Sequence, residues 1–483
     1  MTNDGAPLRL FNSLTREIEE FRPIHEGEAR VYSCGPTVYN YQHIGNMRAY
    51  IFADTLGRVL SWKGYDLTHI INITDVGHLT SDADAGPDKM EKAASESGKS
   101  AWDIAEYYTG VFKGDIARLN IRPPAKWTVA TAHVEAMIDF AKTIADKHCY
   151  ELDSGLYFDT STVPEYGRLA RAVTEEGEGR IDTVEGKRHQ SDFAIWRKTP
   201  EGETRQMEWD SPWGKGAPGW HLECSVMSKQ YLGEQFDIHT GGIDHREIHH
   251  PNEIAQNQAH SCSAHTGANI WMHNNFLVDR RGKMSKSAGE FLTLQTLVDK
   301  GVLPLAYRLM CLQAHYRSEL EFSWENLLAA LTRLKRMVMA AQQLRDRVEA
   351  PTTDIDHPRL QQLLTAFDEA VSDDLNTPKA LTVLDDVLGQ KKIDPAQRLA
   401  TVALIDAVLG LELVTLTRQD IRVRPSTARV DEALIEHQLD LRDEAKGNKN
   451  FPAADAIRNE LASNGVEVMD GDPLRWDWII EAN

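Results

Sequence analysis

Between residues 45 and 63 the apolar side chains Phe52, Leu56, Val59 and Leu60 recur at helical spacing and line one face of a helix. Gly64 follows and suits the C-cap that ends it. Residues 31–33, after a charged loop, read as a short buried strand, and residues 69–73 as a second. Strand, helix, strand in this order is a βαβ unit, which implies a parallel sheet. Further strands are predicted at 236–239 and 269–272. From about Trp324 the pattern changes to helices at 327–347, 359–371, 377–388 and 396–409, with breaks at Pro351, Pro358 and Pro395. A polar stretch of alternating charge at 418–426 marks a second boundary. Two helices follow at 431–446 and 452–464, with Pro452 in the first turn of the second and Gly465 as its C-cap. The fold class is therefore α/β in the N-terminal half, followed by a helical bundle and a small C-terminal module.

Length agrees with this division, since 483 residues at about 150 per domain give about three domains. The formal net charge of −20 excludes a uniformly basic nucleic-acid coat but not a local basic groove. The five cysteines are odd in number and widely spaced, so they do not form a disulfide framework. No basic segment followed by an apolar run opens the chain, and no run of roughly eighteen apolar residues occurs. The expectation is an enzyme of a reducing compartment, cytoplasmic, without a membrane span.

Two short strings carry nucleotide chemistry. His43-Ile44-Gly45-Asn46 falls where the first helix begins, at the carboxyl end of a parallel strand. A helix N-terminus offers free N–H groups and the positive end of the dipole to phosphate. Gly45 lets a flat ligand approach the backbone, and His43 and Asn46, three apart, are expected to project to one side. Lys283-Met284-Ser285-Lys286-Ser287 follows an apolar run and a polar turn. Two lysines and two serines in five residues suit a leaving pyrophosphate.

A third group has metal-ligand character. Cys34 ends the first strand, Cys224 closes Trp220-His221-Leu222-Glu223-Cys224, and His249-His250-Pro251-Asn252-Glu253 opens a predicted helix. Either His249 or His250 could share a face with Glu253. Cysteine, histidine and glutamate are all zinc ligands, although this spacing is not that of a compact zinc finger.

Together the HIGN and KMSKS strings resemble the class I aminoacyl-tRNA synthetases, in which both hold ATP while an amino-acid carboxylate attacks its α-phosphate. The strings Leu10-Phe11-Asn12-Ser13-Leu14-Thr15, Tyr32-Ser33-Cys34-Gly35-Pro36-Thr37-Val38-Tyr39, Pro218-Gly219-Trp220-His221-Leu222-Glu223-Cys224 and His249-His250-Pro251-Asn252-Glu253-Ile254-Ala255-Gln256 resemble the cysteinyl-tRNA synthetases. That resemblance runs from about residue 8 to the C-terminal module. It implies a Rossmann-like catalytic domain with an insertion at 1–325, a helical bundle contacting the tRNA stem at 326–425, and an anticodon-binding module at 426–483. It implies one Zn2+ on Cys34, Cys224, His249 and Glu253, which coordinates the substrate thiolate. It implies a cysteine pocket of Gly35, Thr37, Thr74, Trp220, His239 and Asp244. ATP, with Mg2+, is assigned to His43, Gly45, Asn46, Lys283, Ser285, Lys286 and Ser287, of which His43, Asn46, Lys283 and Lys286 are the catalytic candidates. The implied partners are L-cysteine, ATP and tRNA(Cys), for a monomeric chain.

Serine differs from cysteine by one atom, which hydrogen bonding separates poorly. Zinc prefers the soft thiolate and lowers its pKa, so a metal supplies discrimination without an editing domain. Four protein ligands would fill a tetrahedral site, and Glu253 is the candidate to loosen when substrate binds.

Three departures stand out. Asn46 replaces the usual second histidine of the motif; it can donate a hydrogen bond but carries no proton charge. After Asn72-Ile73-Thr74-Asp75 the chain runs into an acidic insertion through Asp88 in place of the common NITDIDDKI, expected as a solvated loop. Thr240 stands where Gly is commoner. On the nucleic-acid side, Arg333, Lys335, Arg336, Arg345 and Arg347 give 327–347 a basic face. The strings 373–380 and 455–461 resemble the family's bundle and terminal helix. Trp476 and Trp478 could stack on bases or fill a core. The competing readings are an ATP-dependent ligase joining cysteine to an amino-sugar, which lacks a counterpart of residues 427–483, and a non-catalytic tRNA- or zinc-binding regulator.

Overall fold

Five parallel strands form the central sheet, in the order Ala268–Asn274, Phe236–Gly242, Glu28–Ser33, Asp66–Ile73, Lys126–Val129. The computed structural model describes residues 5–77, 88–170, 185–279, 282–283 and 292–480. Burial on both faces explains the near-continuous apolar runs: the last five residues of Asp66–Ile73 are all buried. Glu28–Ser33 is central, with Tyr32 facing Ile70 on one side and His239 on the other. The chain winds outward to Lys126–Val129, then returns to the other side of Glu28–Ser33 through Phe236–Gly242. The strand order reverses between those two strands, where open α/β sheets bind ligands beyond their carboxyl ends.

The first helix, Ile44–Trp62, is buried almost all round. Gly64 follows it at φ +88°, a left-handed position that favours glycine. Asp54 within it is nearly inaccessible and accepts from Arg58 Nε at 2.7 Å and Arg308 Nη2 at 2.6 Å. Arg308 also donates to the carbonyls of Leu409 and Leu119. One apolar core therefore runs from the sheet through this helix into the bundle helices Trp324–Arg345, Pro358–Ser372, Thr377–Gly389 and Pro395–Leu409. Cores do not separate at residues 325 and 326, because this buried ion network joins the two sides.

The insertion between the third and fourth strands contains a four-stranded antiparallel sheet, Cys149–Leu152, Gly155–Phe158, Phe193–Lys198 and Gly216–Pro218, which shares a core with Tyr32, Ile70, Phe236 and Trp271 of the central sheet. In the last 60 residues a third core joins Ile435, Leu439 and Leu461 to a hairpin of Val466–Val468 and Trp476–Trp478.

The predicted helices are present with small shifts. Pro358 and Pro395, expected as breaks, are the first residues of their helices, where a missing N–H costs nothing. The bundle starts at Trp324 because Ser323 caps it. Among the described residues no helix is long and apolar enough to cross a membrane.

Candidate active site

Cys34 follows the strand Glu28–Ser33, and its backbone N–H reaches across to the carbonyl of Thr240. Cys224 sits on the helix Trp220–Leu232, which opens at Gly219, and His249 and Glu253 share the first turns of His249–Ser261. Ligand atoms of Cys34, Cys224, His249 and Glu253 all lie within 4.8 Å of one another. A second set, Cys34, His239, His250 and Glu253, meets the same limit. His249 Nε2 is 3.1 Å from Glu253 Oε1, and His239 Nε2 is 2.9 Å from Glu253 Oε2. His250 Nε2 is 3.3 Å from Cys34 Sγ and 3.8 Å from Glu253 Oε1. Both histidines of the pair thus reach the glutamate.

The electrostatics favour the ligating forms of two donors. Burial works to raise Glu253, but His239 and His249 outweigh it and bring its carboxyl down to about 2. Burial likewise opposes ionisation of Cys224, yet a hydrogen bond from Cys34 and the charge of His249 lower it to about 7. Burial pushes the Cys34 thiol well up, with Cys224 adding to it. Burial would neutralise His249, but Glu253 and Cys224 raise it to about 10. Two thiols, an imidazole and a carboxylate, dry and mutually adjacent, fit a borderline-soft cation such as zinc.

The expected cysteine-pocket residues surround this cluster unevenly. Gly35 donates its N–H to Asn72 Oδ1 at 2.6 Å, and a Cβ there would lie 1.5 Å from the Asn72 carbonyl oxygen, so only glycine fits. Thr37 bridges Thr74 across the strand ends. Thr74 is buried, and its hydroxyl donates to Glu223 Oε2 at 2.7 Å. The Trp220 ring lies 4.4 Å from that of His249. His239 is buried against Trp271 at 4.6 Å, and Asp244 is exposed.

At the nucleotide turn, His43 is the N-cap of Ile44–Trp62, and its Nδ1 accepts from the Gly45 N–H at 3.0 Å. His43 is buried while Asn46 is exposed and donates to Gln42 Oε1 at 2.9 Å. The two side chains thus differ in exposure, the histidine being engaged in capping the helix. Lys283 contributes backbone to the short strand Gly282–Lys283 paired with Leu277–Asp279. Ser285, Lys286 and Ser287 lie outside the described residues, as do residues 78–87 of the acidic insertion. At its far end Asp88 is described, and it caps the helix Lys89–Ser97.

Comparison with known proteins shows the family. Residues 20–332 match the family model for the class I (C) tRNA synthetase catalytic domain. The chain is 68% identical over 480 residues to the cysteine–tRNA ligase of Novosphingobium aromaticivorans, covering 98% of this chain and 97% of that one. The chain belongs to the cysteinyl-tRNA synthetase family. A Zymomonas mobilis relative of the same name is 53% identical, with 100% of both chains covered. A Thermococcus gammatolerans relative, also a cysteine–tRNA ligase, is 37% identical over 96% of this chain and 97% of that one. The solved methionyl-tRNA synthetase of Mycobacterium tuberculosis with methionyl-adenylate superposes with TM-score 0.53 at 14% identity, covering 80% of this chain and 92% of that one, which shows a shared fold. This member is accordingly an α/β enzyme, an aminoacyl-tRNA synthetase.

Several residues at the site went unread in the sequence, and His250 was read only as an alternative to His249. Glu223 is fully buried, and burial pushes its carboxyl up to about 8. Asn72 joins Gly35 to Thr74 by accepting from one and donating to the other. His250 Nδ1 is 2.8 Å from His273 Nε2, whose Nδ1 is 2.8 Å from Ser13 Oγ. The signal available was histidine density: four of the eighteen fall between 239 and 250.

The expected RNA-facing residues are largely engaged elsewhere. Arg333 pairs with Asp385, Lys335 with Asp477, and Arg345 donates to the Val414 and Leu416 carbonyls. Trp476 and Trp478 are buried in the terminal core, since the short hairpin has little else to fill it.

Proposed function

We propose that this chain is a cysteine–tRNA ligase. It activates L-cysteine with ATP, as its Mg2+ complex, and transfers the cysteinyl group to the terminal ribose of tRNA(Cys). The observation that carries this reading is the cluster of Cys34, Cys224, His249 and Glu253 at the strand-order reversal, beside the nucleotide turn at His43. Cys34, Cys224, His249 and Glu253 would hold Zn2+, which supplies a soft Lewis acid that favours a thiolate over a hydroxyl. Gly35, Thr37, Thr74, Trp220, His239 and Asp244 shape the amino-acid pocket around it. His239 holds one oxygen of Glu253 and so fixes the carboxylate.

In the first step the cysteine carboxylate attacks the α-phosphate and pyrophosphate leaves. His43, Gly45 and Asn46 position the nucleotide at the helix start. Lys283 and Lys286 neutralise the charge that develops on the pyrophosphate, and Ser285 and Ser287 donate hydrogen bonds to it. In the second step the terminal ribose hydroxyl attacks the activated carbonyl and AMP leaves. The division of labour places catalysis in residues 1–325, stem contact in 326–425 and anticodon contact in 426–483. The separate terminal core supports the last of these. We take the working form to be a cytoplasmic monomer.

The test is cysteine-dependent ATP–pyrophosphate exchange, followed by transfer of radiolabelled cysteine to tRNA(Cys) or to an amino-sugar acceptor. The reading requires exchange and transfer to tRNA. Exchange with transfer to the amino-sugar alone contradicts it.

A further inference from the structure

Exposed aromatic side chains gather beside the nucleotide turn. Tyr41 stands two residues before His43 and is 38% exposed, while Tyr107, on the helix Ala101–Arg118, is 49% exposed. The Tyr41 and Tyr107 hydroxyls are 3.1 Å apart, and the Tyr108 ring meets both rings edge-on at 5.1 Å. The Lys99 ammonium lies 5.3 Å from the Tyr107 ring centre, and Lys89 lies 5.8 Å from that of Tyr39. Of the carboxylates on this helix, Asp103 is engaged by Ser100 in a capping box, while Glu106 next to Tyr107 is exposed.

The same helix carries Gly110 and Gly114, three and seven residues after Tyr107 and so on its face. Both are exposed, and a Cβ on either would meet nothing within 4 Å. Glycine weakens a helix interior, and no packing partner among the described residues requires it here. The result is a bare strip beside a set of open rings.

We propose that Tyr41 and Tyr107, with Lys89 and Lys99, form a stacking platform for the single-stranded 3′ end of the tRNA, the two glycines leaving room for its sugar-phosphate chain. The inference rests on the ligase reading, because that reaction must bring a terminal ribose to the carboxyl ends of the strands. Single-stranded RNA is bound by stacking on aromatic faces and by cations along its backbone. In a chain of net charge −20, ammonium groups placed over aromatic rings are a local complement to phosphate.

The test uses full-length protein with Tyr107→Ala and Tyr107→Phe. In the alanine variant, cysteine-dependent exchange and KM for ATP should stay within twofold, while kcat/KM for transfer to tRNA falls about ten- to a hundredfold. The phenylalanine variant keeps the ring and should transfer nearly as well as wild type. Trimming the single-stranded 3′ nucleotides from the tRNA should weaken its binding to wild type but hardly to Tyr107→Ala. Intact exchange with unaffected transfer overturns this inference alone. Equal loss of exchange and transfer overturns it in favour of mere support for the turn, and a raised KM for ATP with normal transfer overturns it in favour of adenine. Wild type without any exchange overturns the ligase reading itself.

Discussion

Gly35→Ala concentrates the effect of one methyl group on the site. Its Cβ would stand 1.5 Å from the Asn72 carbonyl oxygen and 2.6 Å from the carbonyl carbon. Real Cβ contacts do not fall under 3.0 Å, so the two strand ends must part by roughly 1.5 Å. That movement stretches the 2.6 Å bond from Gly35 N–H to Asn72 Oδ1 and shifts the adjacent Cys34 out of the ligand cluster. Forced overpacking costs about 1–3 kcal/mol of stability. A displacement of about 1 Å at a reacting site costs about a hundredfold in rate. The assay is ATP–pyrophosphate exchange at varied cysteine and varied ATP, with a urea titration alongside. Exchange kcat/KM for cysteine should fall at least about a hundredfold while KM for ATP moves much less, because His43 and Gly45 lie on a separate turn. A variant with exchange within threefold of wild type and an unchanged urea midpoint would refute the reasoning.

Three other perturbations follow. Asp54→Ala leaves Arg58 and Arg308 buried without their carboxylate and should destabilise the fold by about 3–5 kcal/mol in a urea titration; a loss below about 1 kcal/mol would count against the network. Burial pushes Asp406 up to about 6 against bonds from the Leu411 and Leu413 N–H groups. With its unfolded value near 3.9, the folded state holds the proton longer, so its contribution is full below about pH 4 and is lost as pH rises through 6. The stability advantage of wild type over Asp406→Asn should therefore shrink by about 2 kcal/mol between pH 4 and pH 7, and a constant difference would contradict the burial argument. Cys224→Ser should lose zinc on dialysis that leaves wild type near one equivalent, by elemental analysis; equal retention would remove Cys224 from the ligand set.

What the sequence disclosed depended on range. The helix Ile44–Trp62, the bundle helices and their proline and glycine boundaries are local patterns, and periodicity reads them directly. The strand Asp66–Ile73 was legible because a strand covered on both faces is a continuous apolar run. The inserted antiparallel sheet was not, since strands such as Gly155–Phe158 are four residues long, buried throughout and without alternation. The terminal hairpin has three-residue strands, too short for any period. At the site, Cys34, Cys224, His249 and Glu253 came from strings that resemble a known family, whereas Glu223, Asn72 and His273 have no diagnostic spacing, and spacing alone left His250 as an alternative to His249. They meet through contacts such as Thr74 with Glu223, 149 positions apart, which only the folded sheet creates. The capping role of His43, whose backbone is extended at ψ 148°, was not legible from helical spacing, which does not apply to a cap residue.

The central claim is that the ligand cluster selects sulfur over oxygen. It is tested most directly by ATP–pyrophosphate exchange on zinc-loaded wild type, with L-cysteine and L-serine compared as sole amino acids. With sulfur bound by the cluster, kcat/KM for cysteine should exceed that for serine by on the order of 10⁴-fold, beyond the reach of ordinary pocket contacts. A ratio of about 10² or less would contradict it, since shape and hydrogen bonding around Thr74 and Trp220 would then suffice without a sulfur-specific ligand.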